Sequence, residues 1–189
     1  RLLVGDLAVD LQAKLSGGRV EAQADPDGQL QLELRGVEIG PLQQSRLPYR
    51  LQGKLNGNLR VDNSVAVLQG TGEFRLQLRD SFLLGLERIG LPERLDLGLL
   101  QLEGKFNQRR FSLEKILLTE GSVEMSGGGT LLLAETVEQT RLNLNIRLHP
   151  TRLTPDSFRN LLKLSGIKPT TDGSYLLRVA GTLAHPVLR

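Results

Sequence analysis

The side chains able to do chemistry are few, and their spacing limits what they offer. His149 and His185 are the only two histidines, each followed directly by proline, and the chain has no cysteine. A zinc or iron–sulfur site draws on several Cys or His ligands, so no metal site of that kind can be assembled. Nothing around either histidine supplies a nucleophile and an orienting carboxylate, and both are expected as exposed residues at strand ends. Ser112-Leu113-Glu114-Lys115 has the Ser-x-x-Lys spacing of a serine activated by a lysine one helical turn away. Its neighbours alternate as a strand does, and neither a Ser-Asp-Asn nor a Lys-Thr-Gly segment follows. Gly53-Lys54 and Gly104-Lys105 lack the hydroxyl residue and upstream glycine of a phosphate loop. Gly127-Gly128-Gly129 offers backbone amides to an anion, but it lies inside an alternating run and reads as a bend in a sheet. Asp25-Pro26-Asp27-Gly28 has too few acidic ligands for a calcium loop, and Pro26 suits the second position of a turn.

Carboxylates are plentiful, with 21 Asp and Glu, so a glycosidase pair is compatible with the sequence. Sugar clefts usually stack their substrate on aromatic rings, however, and only two Tyr, five Phe and no Trp are present. The expectation is therefore a protein that is not an enzyme, with no catalytic residues, no metal and no cofactor. Nucleic acid is excluded on similar grounds. The net charge is +3 and spread along the chain, with Arg109-Arg110 the tightest basic cluster. A basic stripe and stacking aromatics are both missing.

The elements that carry these residues are written in a period of two. In Gln29-Leu30-Gln31-Leu32-Glu33-Leu34-Arg35 apolar and polar residues alternate strictly. Phe74, Leu76 and Leu78 alternate with charged and amide residues, as do Leu142, Leu144, Ile146 and Leu148. Successive strand side chains point to opposite faces, so each segment gives a sheet one oily face and one wet face. The same pattern covers Leu7 to Leu15, Val20 to Ala24, Leu55 to Val61, Leu95 to Leu99, Val123 to Leu133 and Tyr175 to Leu183. At Leu99-Leu100 the parity slips, which predicts a bulge or a strand end. Turns are expected at Ser16-Gly17-Gly18, Asp25 to Gly28, Asn56-Gly57, Asp62-Asn63 and Asp172-Gly173.

Two segments carry helical spacing. Thr154-Pro155-Asp156-Ser157 reads as an N-cap followed by Pro at the first helical position, and Gly166 as the stop, giving a helix of about ten residues. Phe82, Leu83, Leu86 and Ile89 share a helical face between Ser81 and Gly90. The fold expected is mainly β: curved antiparallel sheet or sheets of repeated amphipathic strands forming a trough or sandwich, with one or two short helices. A length of 189 residues suits one domain, with two sheet repeats, 1–110 and 111–189, as the alternative division. The recurrence of glycine within strands, as in Leu68 to Leu76 and Met125 to Leu133, predicts bending or close backbone approach.

Leucine fills about a fifth of the chain, so the apolar faces are aliphatic. They form either a closed core, since burying an oily face is what stabilises a sheet, or an open hydrophobic groove. The groove would be lined by Leu55, Leu59, Val61, Phe74, Leu76, Leu78, Leu131, Leu133, Leu142, Leu144 and Ile146.

The ending Gly173-Ser174-Tyr175-Leu176-Leu177-Arg178-Val179-Ala180-Gly181-Thr182-Leu183-Ala184-His185-Pro186 resembles that of the type II secretion system GspN family. A similar final strand, Gly-Thr-Leu step and nearby Pro occur in AsmA- and TamB-like envelope proteins. Leu68 to Leu78 and Met125 to Leu148 resemble GspN repeats in pattern. The resemblance implies a non-catalytic accessory component of type II secretion. It implies a periplasmic β domain, an inner-membrane anchor through an N-terminal helix, and other secretion or envelope proteins as partners. AsmA-like kinship implies instead a lipid-binding or lipid-bridging domain with an apolar groove. The chain begins at Arg1, which reads as a processed or truncated chain, so the anchor would lie outside it. No apolar run approaches the roughly 18 residues of a membrane span.

Overall fold

The structure, a computed structural model, describes residues 9–25, 27–40, 49–62 and 70–188. Eleven strands form one antiparallel sheet in which every strand pairs with its sequence neighbours, in the order β1 to β11. The strands are β1 (Val9–Leu15), β2 (Gly18–Ala24), β3 (Leu30–Glu38), β4 (Arg50–Asp62), β5 (Thr71–Leu84), β6 (Arg94–Asn107), β7 (Arg110–Thr119), β8 (Val123–Leu132), β9 (Arg141–Pro150), β10 (Tyr175–Thr182) and β11 (Pro186–Leu188). One α-helix, α1 (Asp156–Leu164), joins β9 to β10. The fold is mainly β as expected, a single antiparallel sheet that does not close into a barrel, with one helix. Position 110/111 falls at the β6–β7 hairpin, and the two strands pair directly across it.

Cross-strand partners share a face, so the register shows how far the alternation carries. One row runs Leu11, Ala22, Leu32, Leu59, Phe74, Gly104, Leu113, Gly129, Leu144, Val179 and Leu188, touching all eleven strands without a polar residue. A second, beginning at Ala24 and Leu30, runs through Val61, Phe106, Phe111, Leu131 and Leu142. Two further rows pass through Leu34, Leu76, Leu102, Ile116 and Ile146, and through Val37, Leu55, Leu78, Leu100, Leu118, Leu148 and Tyr175. A slip of one residue in any strand would throw its leucines to the wet side, so the registers reinforce one another.

The parity slip near Leu99 is a bulge. Gly98 adopts φ +70, and the β5–β6 register shifts at Ser81. The Ser81 hydroxyl donates to the Gly98 carbonyl at 2.9 Å, satisfying a group that the bulge takes out of the ladder.

Three local expectations give way to contacts distant in sequence. Residues 81–84 are strand, not helix: Phe82, Leu83 and Leu84 pair with Asp96, Leu95 and Arg94. Only Glu87–Ile89 forms a short 3-10 turn. The helical spacing of their leucines comes from a bulge followed by a turn. Asn56-Gly57 lies inside β4, where Gly57 pairs with Leu76 and the Asn56 side-chain oxygen accepts the Gly36 amide at 2.8 Å. Thr154 is not the N-cap: Pro155 occupies that position, and the Thr154 hydroxyl donates to the Ser122 carbonyl instead. The turns at Ser16-Gly17 and Asp172-Gly173 stand as expected. At Asp25 to Gly28 the Gly28 amide donates to Asp25 at 3.0 Å; Pro26, Asn63, Leu68 and Gln69 lie outside the described residues.

Helix α1 covers one end of the apolar face. Leu162 packs with Leu148 and Tyr175. Phe158 reaches both that cluster and a second one built on Leu86, Leu91 and Leu95, which also holds Tyr49. The Tyr49 hydroxyl donates to the Leu183 carbonyl at 2.7 Å. Tyr49 enters β4 and Leu183 leaves β10, six ladder spacings away and at the opposite end of the strands, so a flat sheet would hold them more than about 29 Å apart. The contact therefore requires the sheet to curl over its apolar side. Tyr49→Phe is expected to cost about 1 kcal/mol. Amide exchange should accelerate at residues 183–185 while the middle of β5 keeps its protection.

Candidate functional site: an amphipathic sheet

Ten of the eleven residues expected to line an apolar groove lie on the rows just described. Val61, Phe74, Leu78 and Leu142 are buried; Leu55, Leu59, Leu76, Leu131, Leu144 and Ile146 are half-buried. Leu133 follows the end of β8, where its amide donates to the Arg109 carbonyl at 2.8 Å. The pattern missed the ring cluster that centres this face. Phe106 stacks on Phe111 at 5.2 Å between centroids, and Phe74 sits 5.6 Å from Phe111. Ile116 was missed as well, because a bulge between Leu113 and Ile116 breaks the parity of β7. The alternation of Phe106 with Lys105 and Asn107, and of Phe111 with Arg110 and Ser112, was the available signal.

Burial grades along the rows. The middle strands are closed, with Val61 at 0% exposure and Phe74 at 5%. In β2 and β3 most apolar residues are half-buried, although Val37 near the end of β3 is buried at 1% exposure. In β1 they lie open, Leu11 at 58% and Leu15 at 43%. The apolar face is thus closed over the middle strands and exposed at β1, which contributes none of the residues expected to line a groove.

The opposite face is a ladder of paired charge over β2 to β7, bordering an open concavity of about 880 Å³. Arg35 binds Glu33 at 2.8 Å and approaches Glu21 at 3.7 Å; Lys115 binds Glu103 at 2.8 Å, with Arg75 at 3.7 Å; Lys105 meets Glu114 at 3.2 Å. The hydrogen bond from Arg35 holds the Glu33 carboxyl below its ordinary range, and that from Lys115 does the same for Glu103. A general acid needs the opposite shift, so these two carboxylates serve as fixed acceptors. Ser112 to Lys115 sits in β7 with Lys115 committed to Glu103, as its strand-like surroundings implied. His149 and His185 are exposed, His149 near the end of β9 with Nδ1 3.4 Å from the Ser174 hydroxyl.

The strongest carboxylate shift is at the turn into β10. The Thr170 hydroxyl, the Ser174 amide and hydroxyl, and Arg147 together hold Asp172 down to about 2 from 3.8. A folded-state value below the unfolded one means that this turn is fully supported above about pH 4 and loses its support as pH falls through about 2. A carbon-detected NMR titration is expected to place the Asp172 midpoint near 2. Thr170→Val should move it up toward the ordinary range.

These features define a class: an open, single-sheet antiparallel β-meander with one aliphatic and one charged side. No family model, no curated protein and no solved structure matches this chain. Among the described residues no helix is long and apolar enough to cross a membrane.

Proposed function

We propose that this chain is a non-catalytic, periplasmic structural and interaction domain of a GspN-like accessory component of the type II secretion system, anchored at the inner membrane in the whole protein. One observation carries the reading: an apolar face continuous across eleven strands that is uncovered at its edges, with Leu11 of β1 58% and Leu188 of β11 54% exposed. A surface of this kind acts by burying area against a partner and by pairing its edge. The resemblance of residues 173–186 to the family's ending supports the same assignment, and Tyr175–Thr182 within it is a complete strand. A tagged full-length protein is expected to co-purify other secretion-system subunits from membranes, and deletion of its gene to lower the amount of secreted substrate. Unchanged secretion in the deletion strain, with no subunit recovered, would sink the reading.

A second reading, lipid binding or bridging as in AsmA- and TamB-like proteins, is favoured by the curl of β4 to β10 over the aliphatic rows. An acyl chain suits such a trough because leucine rows present no polar group to desolvate. Native mass spectrometry of protein from an envelope extract is expected to show phospholipid adducts. Leu32→Glu, in the half-buried part of the face, should abolish them at unchanged secondary structure. A lipid-free spectrum for the unaltered protein argues for partner binding alone.

A further inference from the structure

β1 is the longest strand that pairs on one side only among the described residues; it meets β2 and nothing else. At the other end of the sheet β11 has three residues and begins with Pro186, which cannot donate to a further strand. The hairpin geometry fixes which groups of β1 face outward. Ser16 and Gly17 form its two-residue turn, with φ of +44 and +78, and Leu15 pairs with Gly18. In such a hairpin the closing pair exchanges both of its hydrogen bonds. Leu11, Ala13 and Leu15 therefore bond to β2, and the backbone N–H and C=O groups of Asp10, Gln12 and Lys14 point away from the sheet.

We propose that two copies of this chain join through β1, antiparallel, about a two-fold axis at Gln12. In that register Gln12 bonds to Gln12 of the second copy, and Asp10 and Lys14 exchange bonds with Lys14 and Asp10 of the second copy. All three outward residues are satisfied. The charge pattern is self-complementary: each Asp10 carboxylate lies opposite a Lys14 ammonium on the polar face. Neither has an ion-pair partner among the described residues, and within its own chain Lys14 lies opposite Arg19, a like charge. On the other face Leu11 falls opposite Ala13 of the second copy, so the exposed end of the apolar rows continues into its counterpart. A shift of two residues in either direction loses the charge match. The two-fold arrangement closes on itself at β1, because each edge satisfies the other.

This rests on the reading of the sheet as an interaction module and names one partner. It is measured on the chain by itself, so its failure is separable from that of the secretion experiment. Sedimentation equilibrium is expected to show a monomer–dimer equilibrium. Asp10→Lys alone and Lys14→Asp alone should each weaken the dimer by roughly tenfold or more, because like charges then face each other at both ends. The double variant Asp10→Lys/Lys14→Asp should restore it, and a mixture of the two single variants should form a heterodimer. Since the chain has no cysteine, Gln12→Cys supplies a single thiol at the axis and is expected to give a disulfide-linked dimer on mild oxidation. Gln23→Cys, on β2 and away from the axis, should give no disulfide-linked dimer under the same conditions. A parent chain that sediments as a monomer at all concentrations overturns the proposal. So does a dimer indifferent to both charge variants, whose contact then lies elsewhere.

Discussion

Phe74→Ala is expected to lower the free energy of unfolding by about 3–5 kcal/mol. Phe74 is 5% exposed and lies in the row that crosses every strand. Its ring meets Phe111, which in turn stacks on Phe106, and the three come from β5, β7 and β6. Truncation removes the transfer energy of a ring and leaves a cavity that three paired strands cannot collapse to fill. The other two phenylalanines, Phe82 and Phe158, lie outside this cluster. Urea unfolding is the direct measurement: the midpoint should fall with little change in slope. Leu11→Ala is the matched control, because Leu11 is 58% exposed. It is expected to change stability by no more than about 0.5 kcal/mol. Equal losses for the two would mean that burial is not graded from β4 to β1.

Gly72→Val should cost about 3 kcal/mol or more, or prevent folding. Gly72 pairs with Val61 on one side and Phe106 on the other. A Cβ there would stand 1.9 Å from the Arg60 carbonyl oxygen and 2.7 Å from the Phe106 ring. The first obstacle is backbone and cannot rotate away. Relief would require β4 and β5 to separate next to Val61, which is fully buried. The close approach seen here is what recurrent strand glycine implied, and Gly104 shows it again, with the Ser112 carbonyl 2.1 Å from a built Cβ. Gly28→Ala separates this from a generic glycine effect. Gly28 has φ +79 but nothing within 4 Å of a built Cβ. It is expected to lose only the left-handed backbone preference, about 1–2 kcal/mol. Circular dichroism with thermal melts would rank the two, and a Gly72→Val melt equal to that of Gly28→Ala would refute the steric account.

The sequence by itself determined that the chain is β and which residues share a face. Alternation is a local property: each Leu in Gln29 to Arg35 has its side set by its neighbours two residues away, and β3 follows that parity. The tertiary structure decided what local spacing cannot encode. Residues 81–84 carry a helical pattern, but Leu95 and Arg94 supply ladder partners that outweigh it. Asn56-Gly57 is a good turn dipeptide, yet β5 offers Gln77 and Leu76 as partners on either side of the would-be corner. Bulges hid Ile116 from the apolar set, since one extra residue inverts parity and the registers with β6 and β8 reveal it. The curl was equally out of reach: it joins Tyr49 to Leu183, 134 residues apart, and depends on twist summed over six strand-to-strand steps. Which leucines form closed core and which stay open follows from that curl, because burial depends on what comes to lie across the sheet.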